Sequence, residues 1–340
     1  MNSINTPASE ILARHIDMFS QRCLLIAGDI QDDFPVNLPA RQVNIHCHMY
    51  HHYHRLVNVF KSHVEFSLTP SPELFNHIDT LIYYWPKTKL EAQFQLAALL
   101  SQLTLGADVF IVGENRSGVR SAEHLLDPFG HINKIDSARR CSLYHFQAES
   151  QLAFNLDEWW QSYSLENGIK ISTLPGVFSV SHLDLGSELL LEALLANPKL
   201  IKGHILDLGC GAGVLSAVIG RKNPGLNLHL TDVNAAAIAA SKATLNNNNL
   251  KGCVFASDVF SDVEGKYDLI ISNPPFHDGK EINYFAAQTL IREAKKHLNP
   301  SGALCIVANA FLPYAELLDK AFGHHQVLLN TNKFKVYLAN

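Results

Sequence analysis

Ile205-Leu206-Asp207-Leu208-Gly209-Cys210-Gly211-Ala212-Gly213-Val214 is the stretch that decides the fold. Five residues of strand-like apolar alternation run into three spaced glycines, and a helical pattern starts at Val214 and continues to Arg221. Glycines at such a turn let the backbone approach a ligand, and the amides of the following helix N-terminus face it. The spacing is GxGxG with an acid ahead of it, not the GxGxxG of dinucleotide sites. A pyrophosphate gains nothing from a neighbouring carboxylate. A ligand carrying a positive charge and an α-amino group does, so Asp207, Gly209, Gly211 and Gly213 are candidate cofactor contacts.

Working outward, the next strand, Asn227 to Thr231, ends at Asp232, where a carboxylate can accept from both hydroxyls of a ribose. Val254-Phe255-Ala256 is a third strand, and Asp258 just beyond it is placed to accept from an adenine amino group. Tyr267-Asp268-Leu269-Ile270-Ile271-Ser272-Asn273-Pro274-Pro275-Phe276 is a fourth strand halted by two prolines, which cannot continue a ladder or a helix interior. Asn273 and the Pro274 carbonyl can both accept from a flat –NH2 group, with Phe276 stacking on the ring that carries it and Pro275 alongside. Helices are expected over 235–246, 285–297 and 313–322, a strand over 303–307, and a closing hairpin from 326–329 and 334–338. Strands alternating with helices predict a doubly wound α/β sheet whose ligand lies outside the strands' carboxyl ends.

The N-terminal half repeats this pattern. Ala27-Gly28 matches Leu208-Gly209, Asn44-Ile45-His46 matches Asn227-Leu228-His229, the Asp79–Pro86 segment matches Asp268–Pro275, and Phe110-Ile111-Val112 matches Cys305-Ile306-Val307. On this alignment Met49 stands for Asp232 and Tyr84-Trp85 for Asn273-Pro274, so the apolar positions persist and the chemistry does not. The boundary is expected near 168, giving domains 1–168 and 169–340. In the first, Arg116, Arg120, Lys134, Arg139 and Arg140 form a basic group able to grip phosphates. Five histidines and a cysteine between His46 and His54 lack partners at ligand spacing; a strand end and an exposed helix start are expected there, with no metal.

The 340 residues are 47% hydrophobic with net charge −5, which excludes a protein that coats nucleic acid nonspecifically. The deficit lies in residues 1–170, with 13 basic and 18 acidic side chains; residues 171–340 hold 14 of each. No apolar run is long enough for a membrane span, and Met1–Pro7 lacks a signal peptide's regions. Six scattered cysteines are expected as buried thiols in a reducing cytoplasm.

DLGCGAG, TDVN, ASDVF and ISNPPF, in this order and followed by a terminal hairpin, resemble the class I S-adenosylmethionine-dependent methyltransferases. With PGVFS…LDLGSELLL ahead of the glycine loop and a degraded N-terminal copy, the chain is similar to the small-subunit ribosomal RNA guanine-N2 methyltransferases. The resemblance implies two tandem Rossmann-like domains, each with a seven-stranded sheet ending in an antiparallel hairpin, the first of them degenerate. It also implies S-adenosylmethionine as cofactor, methyl transfer at Asn273-Pro274-Pro275-Phe276, and 16S rRNA or the 30S subunit as partner, with the chain acting as a monomer. Asn-Pro-Pro-Phe alone leaves adenine N6 and a protein glutamine amide open, and a noncatalytic RNA-binding assembly factor could keep the same fold.

Overall fold

Two compact units, Met1–Trp159 and Trp160–Asn340, make up the chain. The structure, a computed structural model, describes residues 5–274 and 281–340, the side chains of 281–285 excepted.

The first unit opens with α1 (Pro7–Ala13), where Pro7 supplies a preset φ and the Thr6 hydroxyl accepts from the Ser9 N–H. A 3-10 turn over Ile16–Phe19 follows it. Then come β1 (Cys23–Gly28), β2 (Gln42–Cys47), α2 (Tyr50–Phe60), β3 (Val64–Phe66), β4 (Thr80–Tyr84), α3 (Lys89–Leu100), β5 (Asp108–Glu114), α4 (Ala122–Leu126), β6 (Gly130–Ala138) and β7 (Cys141–Ala148). The strand order is β3-β2-β1-β4-β5-β7-β6. The first five strands are parallel and β6 and β7 antiparallel. Pleating sends alternate residues to opposite faces. Leu25, Ala27, Leu81, Tyr83 and Ile111 pack against Ala92, Leu96 and Leu99 of α3. Leu24, Ile26, Ile45 and Ile82 pack against Ile11 and Leu12 of α1.

The second unit begins with a hairpin of β8 (Gln161–Ser164) and β9 (Lys170–Thr173). Asn167-Gly168 is its turn, so the division between units falls ahead of 168. There follow α5 (Leu185–Ala196), β10 (His204–Leu208), α6 (Val214–Lys222), β11 (Asn227–Asp232), α7 (Ala235–Asn247), β12 (Cys253–Ala256), β13 (Tyr267–Ser272), α8 (Glu281–Ala294), β14 (Leu298–Asn309), α9 (Tyr314–Phe322), β15 (Gln326–Asn330) and β16 (Phe334–Ala339). The order β12-β11-β10-β13-β14-β16-β15 repeats that of the first unit strand for strand. Asn299-Pro300-Ser301-Gly302, between the helix expected over 285–297 and the strand expected over 303–307, lies within β14 at a shift of register. Proline and glycine suit a bulge as well as a turn, and a Cβ at Gly302 would fall 2.6 Å from the Tyr267 carbonyl oxygen. The asparagine run after Leu245 clamps β9 onto α7: Asn248 bonds both the N–H and the carbonyl of Lys170, and Asn247 bonds Ser172.

The backbone corrects one alignment. Cys23 pairs with Gln42, and His204 pairs with Asn227. With Gly28 matched to Gly209, Gln42 is then the counterpart of Asn227, and Cys47, not Met49, stands where the second unit has Asp232. A slip of two residues leaves every side chain on its original face, so hydrophobic pattern alone does not expose it.

The histidine cluster also differs from expectation. His46, His48 and His52 are buried, and burial pulls His46 down to about 4 and His48 and His52 well below the usual histidine range. They are neutral core side chains, and no metal-binding group occurs among the described residues. Of the six cysteines, five are buried and Cys253 is exposed; all are free. No described helix is long and apolar enough to cross a membrane.

Gly28 sits at φ +92, and a Cβ there would fall 2.0 Å from the Tyr84 carbonyl oxygen. Gly209, at φ +73, has nothing within 4 Å of the same position. Gly28→Ala should therefore lower stability by about 2–4 kcal/mol in urea unfolding of the full chain. Gly209→Ala should cost only the roughly 1–2 kcal/mol of a left-handed alanine.

Candidate active site at the carboxyl edge of the second sheet

The order of the second sheet reverses between β10 and β13, and ligands of open α/β sheets bind at such a switch point. The glycine loop leaves β10 there and Asn273 leaves β13. Pairing of these strands ends at Asp207 with Ile271; beyond it the Ser272 hydroxyl donates to the Leu208 carbonyl at 2.6 Å. In the first unit β1 and β4 stay paired through Gly28 with Tyr84.

Neighbouring elements hold the glycine loop from several sides. The N–H groups of Gly209 and Cys210 both donate to the Thr231 carbonyl, at 2.8 and 2.9 Å. Ser241 of α7 donates to the Gly211 carbonyl at 2.8 Å. Gly209 and Gly211 have positive φ and open space where a Cβ would project, whereas a Cβ at Gly213 would fall 3.0 Å from the Ser241 hydroxyl. Two glycines thus leave room for a ligand and the third allows the loop to pack.

Asp232 ends β11 and binds the loop itself: Oδ2 accepts the Gly211 N–H and Oδ1 the Asn234 N–H, each at 2.9 Å. A carboxylate has about four acceptor positions, so capacity remains for a ligand hydroxyl. Burial raises its pKa. Asn234 caps α7 through its Oδ1 and donates from Nδ2 to the Gly176 carbonyl at 3.0 Å, fastening the Pro175-Gly176-Val177-Phe178 segment beside the cleft. Asp258 lies exposed just past β12, on the same edge.

Asp207 is fully buried. Its Oδ2 accepts from the Ser216 hydroxyl at 2.7 Å and the Ser216 N–H at 3.3 Å, in the first turn of α6. Oδ1 has no hydrogen-bond partner among the described residues. Desolvation pushes the carboxyl up to about 7 despite the Ser216 bonds, and the nearby Asp232 adds to the rise. An orphaned buried acceptor, two open left-handed glycines and an acid with spare acceptor capacity fit a cationic adenosyl cofactor. S-adenosylmethionine is the one the resemblance implies.

Asn273 follows β13 directly, with Nδ2 3.0 Å from Asp184 Oδ2 and 2.9 Å from Ser187 Oγ. Neither partner was singled out from the sequence; the only local sign was an aspartate ahead of the helical run starting near Ser187. Pro274 is buried, and Pro275 and Phe276 lie outside the described residues.

The matching edge of the first unit is closed. Tyr84, in the place of Asn273, is buried with its hydroxyl 2.9 Å from Ser9 Oγ, which in turn donates to Asp32 at 2.9 Å. Trp85, in the place of Pro274, is buried and donates to the Ser117 carbonyl at 3.0 Å. Cys47, in the place of Asp232, is buried, and burial pushes its thiol up to about 12. Four of the predicted arginines gather on this edge. Arg139 and Arg140 form the two-residue turn between β6 and β7, and the Asn115 N–H donates to the Arg140 carbonyl at 2.8 Å. Arg116 pairs with Glu114, Arg120 donates to Asn115 at 3.3 Å, and Arg139 pairs with Glu10 at 2.6 Å. Lys134 sits apart within β6, opposite Tyr144.

Comparison with known proteins agrees with this arrangement. The family described as methyltransferase small domain matches residues 168–338, and methyltransferase small domain N-terminal matches residues 9–163. Ribosomal RNA small subunit methyltransferase C of Erwinia tasmaniensis is 54% identical over 334 residues, spanning 98% of this chain and 96% of that protein. The protein of the same name from Photorhabdus laumondii is also 54% identical, spanning 98% of each. Among solved structures, the T. thermophilus 16S rRNA N2 G1207 methyltransferase (RsmC), in complex with AdoMet and guanosine, has a TM-score of 0.85 at 22% identity. That match covers 100% of this chain and 93% of the other, a likeness of fold across both units. Sequence motifs, duplicated sheet order and these relatives together place the chain in the ribosomal RNA small subunit methyltransferase C family.

Proposed function

We propose that this protein transfers a methyl group from S-adenosylmethionine to the exocyclic N2 of a guanine in 16S rRNA of the small ribosomal subunit. By kinship with the T. thermophilus enzyme, that base is guanine 1207. The observation that carries the reading is Asn273 at the end of β13, beside the glycine loop of β10 and with its Nδ2 already engaged.

S-adenosylmethionine, when bound, supplies an electrophilic methyl group on a sulfonium. Asp207, Gly209, Gly211, Gly213, Asp232 and Asp258 would hold it. The guanine amine is a weak nucleophile, because its lone pair is delocalised into the ring. Asn273 Oδ1 and the Pro274 carbonyl, accepting its two hydrogens, favour a pyramidal nitrogen with its lone pair free for attack, and orientation with electrostatics supplies the acceleration. Phe276 and Pro275 would flank the base. A paired base cannot enter such a cleft and must leave its stack first. Phe178, Leu185 and Phe311 are 53%, 58% and 82% exposed, and all three belong to segments at this edge, where they offer apolar surface to unstacked bases.

The first unit, with its cleft closed, is assigned to RNA recognition or stability. Arg139 and Arg140 have φ of 49° and 63°. A two-residue hairpin turn of this kind favours Asn-Gly, so two arginines there give up local stability to keep two cations at the edge. With Arg116 and Arg120 they are positioned to contact phosphates.

Labelled methyl transfer to naked 16S rRNA, 30S subunits and a release factor, followed by nucleoside analysis, tests the substrate directly; label on an adenine or on the protein would overturn the assignment. Asn273→Ala should retain cofactor affinity and lose turnover by about 100-fold or more. Asp232→Ala should instead weaken cofactor binding by roughly 10- to 100-fold in calorimetry.

Asp207 should give binding a pH dependence. Its folded-state value of about 7 lies above the unfolded ~3.9, so its stabilisation is complete below pH ~4 and is lost as pH rises through about 7. A bound ammonium favours the ionised carboxylate, so cofactor affinity should rise between pH 5.5 and 7.5 in wild type and stay flat in Asp207→Asn. Finally, replacing the turn by Arg139→Asn with Arg140→Gly should raise the stability of the protein by about 1–2 kcal/mol while weakening RNA binding. The loss should be larger at low salt than at high salt.

A further inference from the structure

We propose that Asp184 and Ser187 are positioning residues that fix which end of the Asn273 carboxamide meets the substrate. The inference rests on the reading of Asn273 as an acceptor for the guanine amine.

Asp184 is the N-cap of α5, and its carboxylate accepts the Gly186 N–H at 2.8 Å and the Ser187 N–H at 3.1 Å. The oxygen that takes the Ser187 N–H also takes Asn273 Nδ2. An ionised carboxylate has no hydrogen to give, so the end of the amide facing it must be the NH2. Ser187 Oγ occupies the second Nδ2 hydrogen. Both donors of the carboxamide are then used, and among the described residues no hydrogen bond reaches Oδ1.

The two ends of a primary amide have nearly the same size, so packing alone does not prevent it turning over. Turned over, Asn273 would offer a donor to an amine that is itself a donor. Gly186 closes a third side: a Cβ there would fall 3.3 Å from Asn273 Oδ1, 3.4 Å from Nδ2 and 3.1 Å from Asp184 Oδ1. The Asp184–Ser187 segment therefore caps a helix and holds the amide with the same atoms.

A capping role and a positioning role separate experimentally, because asparagine caps a helix about as well as aspartate. Asp184→Asn keeps the cap but, offering both a donor and an acceptor, no longer dictates the orientation of the amide. Its kcat on 30S subunits should fall about 10- to 100-fold, with melting temperature, S-adenosylmethionine affinity and RNA affinity unchanged. Ser187→Ala should lower kcat less, and its effect should be less than multiplicative with Asp184→Asn. Gly186→Ala places a better helix former in α5, yet should slow turnover by displacing the amide. The side-chain NH2 resonance of Asn273 should move in Asp184→Asn. Wild-type kcat in that variant, or a loss accompanied by lower melting temperature or cofactor affinity, overturns the proposal. Asn273→Ala, measured alongside, keeps the two readings apart. If it retains turnover, the role of Asn273 itself fails; if it is inactive while Asp184→Asn is normal, only the positioning role fails.

Discussion

Everything at the candidate site depends on where β10 and β13 stop pairing. Strand pairing satisfies backbone groups, and a ladder that ends early must pass those groups to something else. In the second unit the last pair is Asp207 with Ile271, after which Thr231 takes the Gly209 and Cys210 amides and Ser272 takes the Leu208 carbonyl. The opening is thus hydrogen-bonded on both sides, and a Cβ at Gly209 would meet nothing within 4 Å. In the first unit the equivalent ladder runs on through Gly28 and Tyr84, and the Tyr84 carbonyl fills the space a ligand would need. The same strand order yields a cleft in one unit and core in the other because of two further pairs, Ala27 with Tyr83 and Gly28 with Tyr84.

The polar residues around each opening follow from that difference. Where the ladder is open, acceptors keep unfilled capacity: buried Asp207 Oδ1 has no partner among the described residues, and half-buried Asp232 accepts the Gly211 and Asn234 amides with capacity to spare. An unpaired buried acceptor is destabilising by roughly 1–3 kcal/mol, so an open cleft keeps such atoms only where something bound can satisfy them. Where the ladder is closed, the counterparts satisfy one another. Tyr84 bonds Ser9, Ser9 bonds Asp32, and the Trp85 indole finds the Ser117 carbonyl. Loss of chemistry in the first unit is accordingly a change from available to satisfied polar groups, with the apolar faces of the sheet retained.

How much of this was legible in the sequence depends on how local the signal was. Strands such as His204–Leu208 and Tyr267–Ser272 are continuous apolar runs ended by glycine or proline, and both features are local. The resemblance implied a closing hairpin in the first unit, but the residues did not mark its place, because Gly130–Ala138 is largely solvent-facing and its turn is Arg-Arg, which carries none of the usual turn chemistry. The match of Asn44-Ile45-His46 to Asn227-Leu228-His229 was a coincidence of residue types that a period of two could not detect. At the site, the glycine loop, Asp232 and Asn273 stood out because each ends a strand. Asp184 did not, because its second role is to Asn273, 89 residues away, and a helix cap looks the same whether or not it does anything else.

That double use explains how a single asparagine can be held without a rigid strand beneath it. Asn273 has left the ladder, so no sheet neighbour fixes its side chain, and the prolines that follow restrain the main chain but not χ2 of an amide. Orientation has to come from a partner that is itself immobile. A helix N-cap meets that need: Asp184 is pinned by two backbone N–H groups of α5, whose Leu190, Ala193 and Leu194 are buried. Order passes from the core, through the helix terminus, to one carboxylate and then to the amide. The chemistry therefore rests on two supports, an open ladder that makes room for the reactants and a capped helix that decides which atom faces them.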